Sequence, residues 1–477
     1  MNLLDLISHD CKTRIARPAS LLALVLFVAL LAYAASRGSA AQRGQTAAIA
    51  AHQTTITAQM QQWHQDLVAL EKLGESSGVS PWAGSAMDLS FPSSLPPAPL
   101  GDFAIGQADL LPYTGAISLW DLDVRLFSKY QFADPVALAL GGFDLARAIL
   151  LLLPLVLIVL CYDVLSSERD SSRLALLLAQ GANLRQLFWL RLLLRGGLVL
   201  GLAYLPAAFA LVWSPAAHDM GQRLLYFAPW CLCVFLYAAC WLGFIALVAA
   251  RNQHGGSNIL LLLLSWTACC LVIPAMATLI TESLYPTPSR AAYLAETRAL
   301  ENETTLAEAQ IANGFINDHP EMMLAANSSI PAYVRTAFLV TTRVDRATQP
   351  VLAAFERSAQ RREQSLGWLA YLSPTIITHR LFNELTGTSW ARFLAYQTQA
   401  RAMKASYAQL VAPSVLAGKR LPLQLAANLP SFQFNDQALS SILARNAGGL
   451  LALALLAAAC LLLAHRRVAG IVGPDAK

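Results

Sequence analysis

The chain has 477 residues, of which 56% are hydrophobic and 13% are charged. Soluble domains carry about 25% charged residues, so the polar residues of this chain cannot cover a surface of its size. The net charge of +5 is modest, and no basic patch is interleaved with aromatic residues, so no nucleic-acid partner is expected. The apolar residues gather into runs close to the roughly 20 residues that a helix needs to cross a bilayer. The composition therefore predicts an integral membrane protein.

The apolar runs predict six transmembrane helices. They are expected at residues 20–36, 144–162, 187–213, 223–250, 258–282 and 446–465. Pro154 is expected to interrupt the second of them. Residues 1–19 combine basic residues from Lys12 to Arg17 with an amphipathic pattern, which predicts an elbow helix lying on the inner leaflet. A cleaved signal peptide with its small-residue site near Ala40 is the alternative interpretation.

The distribution of Lys and Arg beside the spans indicates the orientation. If the spans alternate, one side holds Lys12, Arg14, Arg17, Arg169, Arg173, Arg185, Arg251, Arg466 and Arg467. The opposite side holds fewer near the bilayer, namely Arg37, Arg43, Arg223, Arg290 and Arg445. Cytoplasmic loops carry the excess of basic residues. We therefore expect a multi-pass protein of the bacterial inner (cytoplasmic) membrane, with both termini, including the tail at 466–477, in the cytoplasm.

Two long segments, 37–143 and 283–445, are then expected together on the outer face as one α-helical extracytoplasmic domain. Neither segment contains a cysteine, so packing alone has to hold this domain together. The first span is expected to continue outward as a helix to Gly74, because no proline interrupts it. Further helices are expected at 289–314 and 345–374, which end at a glycine and a proline.

No motif for catalysis is present. The phosphate-binding pattern G-x-x-x-x-G-K-[ST] is absent, and the sequence around Gly418 and Lys419 lacks its first glycine and its hydroxyl residue. There is no H-E-x-x-H, no G-x-S-x-G and no Cys/His set with zinc spacing. The chain is therefore expected to be no enzyme and to hold neither a metal nor a cofactor. Ionisable residues are scarce in the spans, whereas an ion-coupled pump needs them in its path.

Energy must then reach the chain from outside, and residues 163–186 are the candidate for receiving it. This polar segment after the second span has Ser166 or Ser167 as a helix cap, acidic residues in its first turn and an apolar face that begins at Leu174. A docking element and a merely solvated loop are equally compatible with these residues.

The sequence from Tyr162 to Arg195, "YDVLSSERDSSRLALLLAQGANLRQLFWLRLLLR", resembles the cytoplasmic coupling segment of ABC-2 type transporter permeases. The matching positions are Ser166, Glu168, Arg169 and Leu174, with Asp170 in place of a glutamate. The departures are Ser172 for a glycine, Arg173 for a threonine and Arg191 for a lysine. The pieces "FAIGQADLLPY", "GGFDLARAILLLLPLVLI", "SLYPTPSR" and "LSPTIITHRLFNELTGTSWARF" extend the likeness to a branch with a bipartite extracytoplasmic insertion. That branch is related to the multi-copper-enzyme-maturation (NosY-like) permeases.

The resemblance implies a type V exporter. Two permease chains, identical or merely similar, face each other in the membrane lipid above two ABC ATPase subunits, which carry the ATP and Mg²⁺. It implies that the ATPase is met by a coupling set made of Asp163, Ser166, Glu168, Arg169, Asp170, Arg173 and Leu174. It also implies that the second and fifth spans line the path.

Two outputs remain open from the sequence. One is export of an amphipathic, lipid-like, peptide or siderophore-type substrate across the inner membrane, which the nearly uncharged spans favour. The other is a mechanotransmission or maturation device in which ATP hydrolysis moves the outer domain against a periplasmic partner without transmembrane transport. The long helix that follows the first span suits such a lever.

Overall fold

A computed structural model describes residues 15–73, 78–80, 83–106, 111–123, 142–166, 183–214, 219–251, 254–286 and 329–471, with short helical pieces between 295 and 307. The helices of this part are α1 Pro18–Leu73, α2 Leu145–Cys161, α3 Leu184–Trp213, α4 Met220–Ala249, α5 Gly255–Leu284, α6 Ala332–Leu369, α7 Pro374–Leu385, α8 Trp390–Leu416, α9 Leu423–Ala426 and α10 Leu439–Ile471. A two-stranded sheet is formed by β1 Ser90–Ser94 and β2 Thr114–Ser118. The chain is thus a helical membrane protein. Most of the predicted elbow helix at 1–19 and most of the predicted helix at 289–314 lie outside the described residues, and α1 already begins at Pro18.

Five helices are long and apolar enough to cross a membrane, namely α1, α3, α4, α5 and α10. The remaining predicted span, the second at 144–162, corresponds to α2, which has 17 residues and a length of about 26 Å, slightly less than the roughly 30 Å hydrocarbon core. The predicted interruption at Pro154 is wrong, since α2 runs through this residue as one helix. Neighbouring helices surround α2, and such packing lets a proline remain inside a membrane helix.

The apolar helices pack into one bundle whose most enclosed members are α2 and α4. Small residues allow a close contact between α4 and α10, where a Cβ on Gly243 would lie 2.9 Å from Cys460 Cβ. Nearby, Cys240 Sγ donates to Leu453 O at 3.2 Å. Membrane helices associate through such close contacts of small residues, so these cysteines act as packing residues.

The continuation of α1 beyond the bundle is confirmed. This helix has 56 residues, about 84 Å at 1.5 Å per residue. Its far half enters a second core, called the lobe here, in which Trp63 and Leu67 pack with Phe91, Tyr396 and Tyr407. One continuous helix therefore joins the bundle to the lobe.

The lobe departs from the predicted all-helical domain in its short antiparallel sheet, whose register pairs Ser90 with Ser118 and Ser94 with Thr114. Each strand has only five residues, too few to show alternation, and Pro92 removes one donor from β1. The sequence prediction missed the sheet for these reasons. The helix predicted at 345–374 is confirmed in type, but it begins earlier, at Ala332.

A second departure is the position of α7. The sequence prediction assigned its residues to the outer domain, yet Ile377, Leu381 and Phe382 are buried in the core of the bundle. Phe382 stacks on Trp230 of α4 with ring centroids 5.4 Å apart. The helix therefore belongs to the bundle by its packing.

A buried ion pair fixes the loop between β1 and β2 to the bundle. Arg223, in the first turn of α4, donates to both carboxylate oxygens of Asp102 at 2.9 and 3.1 Å, and neither side chain is more than 2% exposed. Arg223 also donates to Ser214 O at 3.1 Å, at the end of α3. A Cβ on Gly38 of α1 would lie 1.9 Å from Asp102 O, so only glycine permits this approach. We call these four residues the junction.

Replacing Arg223 with Met is expected to lower the stability of the protein by about 3–5 kcal/mol, because the buried Asp102 carboxylate loses its partner. The double variant Asp102→Leu/Arg223→Met removes both charges and is expected to recover most of that loss. Thermal unfolding of the detergent-purified protein, followed by tryptophan fluorescence, measures both. Equal Tm values for the single and double variants would contradict this account of the junction.

Candidate functional site

The start of the predicted coupling segment is held by two arginines of α3. Arg195 is 2% exposed, and its Nη1 donates to Leu160 O at 2.7 Å and to Asp163 Oδ1 at 3.3 Å. Arg191 Nη1 donates to Val164 O at 3.4 Å. Since these acceptors lie at the end of α2, the two arginines tie the exit of α2 to the side of α3.

The other end of the segment is fixed by a helix cap. Asn183 Oδ1 accepts from the backbone N–H groups of Arg185 and Gln186 at 3.1 and 3.3 Å, which satisfies two of the free donors at the start of α3. Arg185 also contacts His465 of α10, with Nη2 and Nδ1 3.4 Å apart. Both flanks of the segment are thus anchored on the bundle.

Of the predicted coupling residues, the structure describes two. Asp163 and Ser166 are both buried, and Asp163 faces the bundle through its ion pair with Arg195. Glu168, Arg169, Asp170, Arg173 and Leu174 lie outside the described residues. Asp163 therefore anchors the segment to α3, a structural role that sequence reasoning did not give it.

Sequence reasoning also missed Arg195 as the partner. The signal was available, because Arg191 and Arg195 are four residues apart in an apolar run and so share one helix face. A carboxylate at the end of the preceding span was the natural candidate for pairing with that face.

A cleft of about 720 Å³ opens between α2, α5, α6 and α7. Its apolar walls include Leu150 and Leu151 of α2 and Leu271 and Pro274 of α5. Charged side chains from α2, α6 and α7 form its rim on the side of the lobe, and they include Arg147, Arg362, Glu363, Arg380 and Glu384. The cleft is therefore amphipathic, with an apolar interior and a charged mouth.

Ion pairs organise the mouth of the cleft. Arg380 of α7 pairs with Glu363 of α6 at 3.1 Å, and Arg362 pairs with Glu282 at the end of α5, also at 3.1 Å. Burial raises the pKa of Glu363 above its ordinary range, and this outweighs the lowering effect of Arg380. These two ion pairs join α6 to α7 and to α5.

At the inner end of the cleft, polar side chains meet in an otherwise apolar core. Tyr237 of α4 donates its hydroxyl to Leu150 O at 2.8 Å. The Tyr237 hydroxyl oxygen also lies 3.2 Å from Thr375 Oγ1. Thr375 Oγ1 is in turn 3.3 Å from Cys270 Sγ. We call Tyr237, Thr375 and Cys270 the polar node, and it connects α2, α4, α5 and α7.

The node coincides with an irregularity in α5, whose residues Ala268–Val272 form a π-helical turn. Such turns are rare and occur often at functional sites. Ser373, the N-cap of α7, donates its hydroxyl to Cys269 O within this turn at 2.7 Å and accepts from Thr375 N at 3.2 Å. The Ser373 hydroxyl thus satisfies one backbone carbonyl of the π-helical turn of α5 and one backbone N–H of α7.

Comparison with known proteins adds one match. A family model described as a domain of unknown function (DUF3526) matches residues 290–435, under a third of the chain. No curated protein matches the sequence. The matched segment includes α6, α7 and α8. It therefore covers two of the helices that line the cleft, α6 and α7, together with part of the lobe.

Replacing Ser373 with Ala is expected to loosen α7, because it removes a helix cap worth about 1–2 kcal/mol. A loss of that size raises an open population roughly 5- to 30-fold. In a variant whose only cysteine is Cys270, the substitution should accelerate labelling by N-ethylmaleimide in native membranes by such a factor. A variant whose only cysteine is Cys161, which is also buried and lies in α2, provides the control. An unchanged labelling rate at Cys270 would mean that Ser373 does not hold the node closed.

Proposed function

We propose that this chain is the permease subunit of an ATP-driven ABC exporter that moves an amphipathic molecule across the bacterial inner membrane. The observation that carries the proposal is the cleft between α2 and α5. These are the second and fifth spans, to which the resemblance to ABC-2 permeases assigns the path. The apolar walls and charged mouth of the cleft suit a cargo with one apolar and one polar part.

The anchored segment between α2 and α3 supports the same proposal. A motor can move the bundle only if the element that it touches is firmly tied to the spans. Asp163, Arg191 and Arg195 provide such a connection at one flank and Asn183 at the other. In this proposal Glu168, Arg169, Asp170, Arg173 and Leu174 meet a separate ATPase, which supplies ATP and Mg²⁺. The termini and this segment then lie in the cytoplasm and the lobe in the periplasm.

A second copy of the chain, or a similar one, completes the path in this proposal. α5 leaves a broad apolar face uncovered, with Leu264, Leu279 and Leu284 each at least 60% exposed. The cleft opens beside this face, because Leu271, Pro274 and Thr278 of α5 line it. A facing permease would enclose the cleft between two bundles.

The alternative output, mechanical transmission to a periplasmic partner, is favoured by α1. This single helix of 56 residues enters both the bundle and the lobe, so it could carry displacement from one to the other. ATP hydrolysis would then proceed without loading any compound into vesicles.

Replacing Glu168 with Ala is expected to lower ATP-dependent uptake into inside-out vesicles about tenfold, equivalent to ~1.4 kcal/mol of lost coupling, while nucleotide hydrolysis continues. The vesicles contain the chain together with a co-expressed ABC ATPase, and the accumulated compounds are identified by mass spectrometry. Glu71→Ala, the same change at an exposed position on the lobe half of α1, is the control. Normal coupled uptake in Glu168→Ala would exclude this residue from the docking site. Hydrolysis without any uptake in the unsubstituted protein would favour the mechanical device.

A further inference from the structure

A second cavity lies in the groove between the bundle half of α1 and α3. It has a volume of about 750 Å³ and a mainly apolar lining, with Ser36, Ser39, Arg43 and Ser214 as its polar members. We propose that this groove binds one phospholipid of the lobe-side leaflet, with an acyl chain between the helices and the phosphate on Arg43. This site goes beyond the proposed transport activity and does not depend on it.

The wall from α1 is a stripe of small residues that ends in a cation. Val28, Ala32, Ser36 and Ser39 recur at spacings of three and four, so they lie on one helix face, and Arg43 follows four residues later. All five line the groove. The rise from Val28 to Arg43 is about 22 Å, which matches half of the roughly 40–45 Å thickness of a bilayer with its headgroups.

The wall from α3 is built of large apolar side chains. Leu205, Phe209 and Trp213 are 61%, 61% and 74% exposed, and the rings of the last two stack with centroids 5.4 Å apart. Tryptophan is enriched at the level of the lipid headgroups. The contrast between a wall of small residues and a wall of large ones produces the groove, which is wide enough for an acyl chain.

The two walls reach the headgroup level together. Ser214, directly after Trp213, contacts Gln42 with Oγ and Oε1 3.5 Å apart, and Gln42 precedes Arg43. The cation of α1 and the tryptophan of α3 are therefore at the same height. An amphipathic molecule with its tail in the groove would have its polar end beside both Arg43 and Trp213.

Charge identifies the occupant as a phospholipid. Arg43 is exposed, and its Nε donates to Ser39 O of its own helix at 3.3 Å. Within the described part of the chain no carboxylate pairs with it, and the groove lining contains no acidic residue. A guanidinium group binds phosphate through two parallel hydrogen bonds, so a phosphate is the partner that this position fits.

Photolabelling of the full-length protein tests the proposal. The protein is reconstituted in phosphatidylethanolamine and phosphatidylglycerol vesicles doped with a phosphatidylglycerol that carries a diazirine on its acyl chain. Labelled residues are mapped by mass spectrometry. We expect labelling of residues 32–39 and 205–213 to exceed that of the exposed face of α10 around Leu455 at least fivefold.

Two variants with matched controls separate the tail site from the phosphate site. Ala32→Phe fills the groove from an exposed position and should reduce its labelling at least fivefold, whereas Ala458→Phe, at an exposed position on α10, should not. Arg43→Gln should abolish the preference for the labelled phosphatidylglycerol over a diacylglycerol with the same diazirine chain, and Arg37→Gln should keep that preference.

Three results would overturn the proposal. Labelling of the groove no higher than that of α10, or unchanged by Ala32→Phe, would mean that only bulk lipid covers it. An unchanged headgroup preference in Arg43→Gln would remove the phosphate site. Crosslinks from residues 32–39 to another copy of the chain would identify a protein as the occupant.

Discussion

The ion pair between Asp102 and Arg223 fixes the loop between β1 and β2 to the bundle. A buried carboxylate and guanidinium cannot separate without leaving a desolvated charge, which costs about 3–5 kcal/mol. The pair holds this loop against the start of α4, and the close approach at Gly38 holds it against α1. Arg223 also donates to Ser214 O at the end of α3, so the loop is fixed where three helices meet.

The polar node is where the bundle is least uniform. Most of the bundle is held by contacts between apolar and small residues, which are individually weak and not directional. Around Tyr237, directional hydrogen bonds instead join four helices, and α5 leaves the regular α-helical geometry at the same level. Because such bonds depend on distance and angle, a shift at the start of α7 would have to break them. The cleft, which Thr375 and Cys270 also line, would change its shape with such a shift.

Much of the fold followed from the sequence, for identifiable reasons. The long continuation of α1 was predictable because it lacks proline, and the spans were predictable because their apolar runs are long. The position of α7 was not predictable, since twelve residues that mix Ile377 and Phe382 with His379 and Arg380 have the same composition as an exposed helix. Of the candidate site, the anchoring role of Asp163 depended on Arg195, which is thirty-two positions away. The polar node joins residues up to 138 positions apart. The spacing of apolar residues along the chain predicts helices but does not predict contacts between positions so far apart.

The junction also bears on how movement could spread through the molecule. The loop that carries Asp102 packs Leu100 and Phe103 into the bundle core and connects to Leu95 in the core of the lobe. A movement of the lobe against the bundle would therefore have to bend this loop or break an ion pair that is almost completely buried. Movement within the bundle meets, at the π-helical turn and the short helix α7, contacts of about 1 kcal/mol each. The segment between α2 and α3 is anchored on α3 through Arg191 and Arg195, and α2 reaches the node because Leu150 O accepts from Tyr237. A displacement of that segment would therefore reach the cleft through the node, as the proposed export requires.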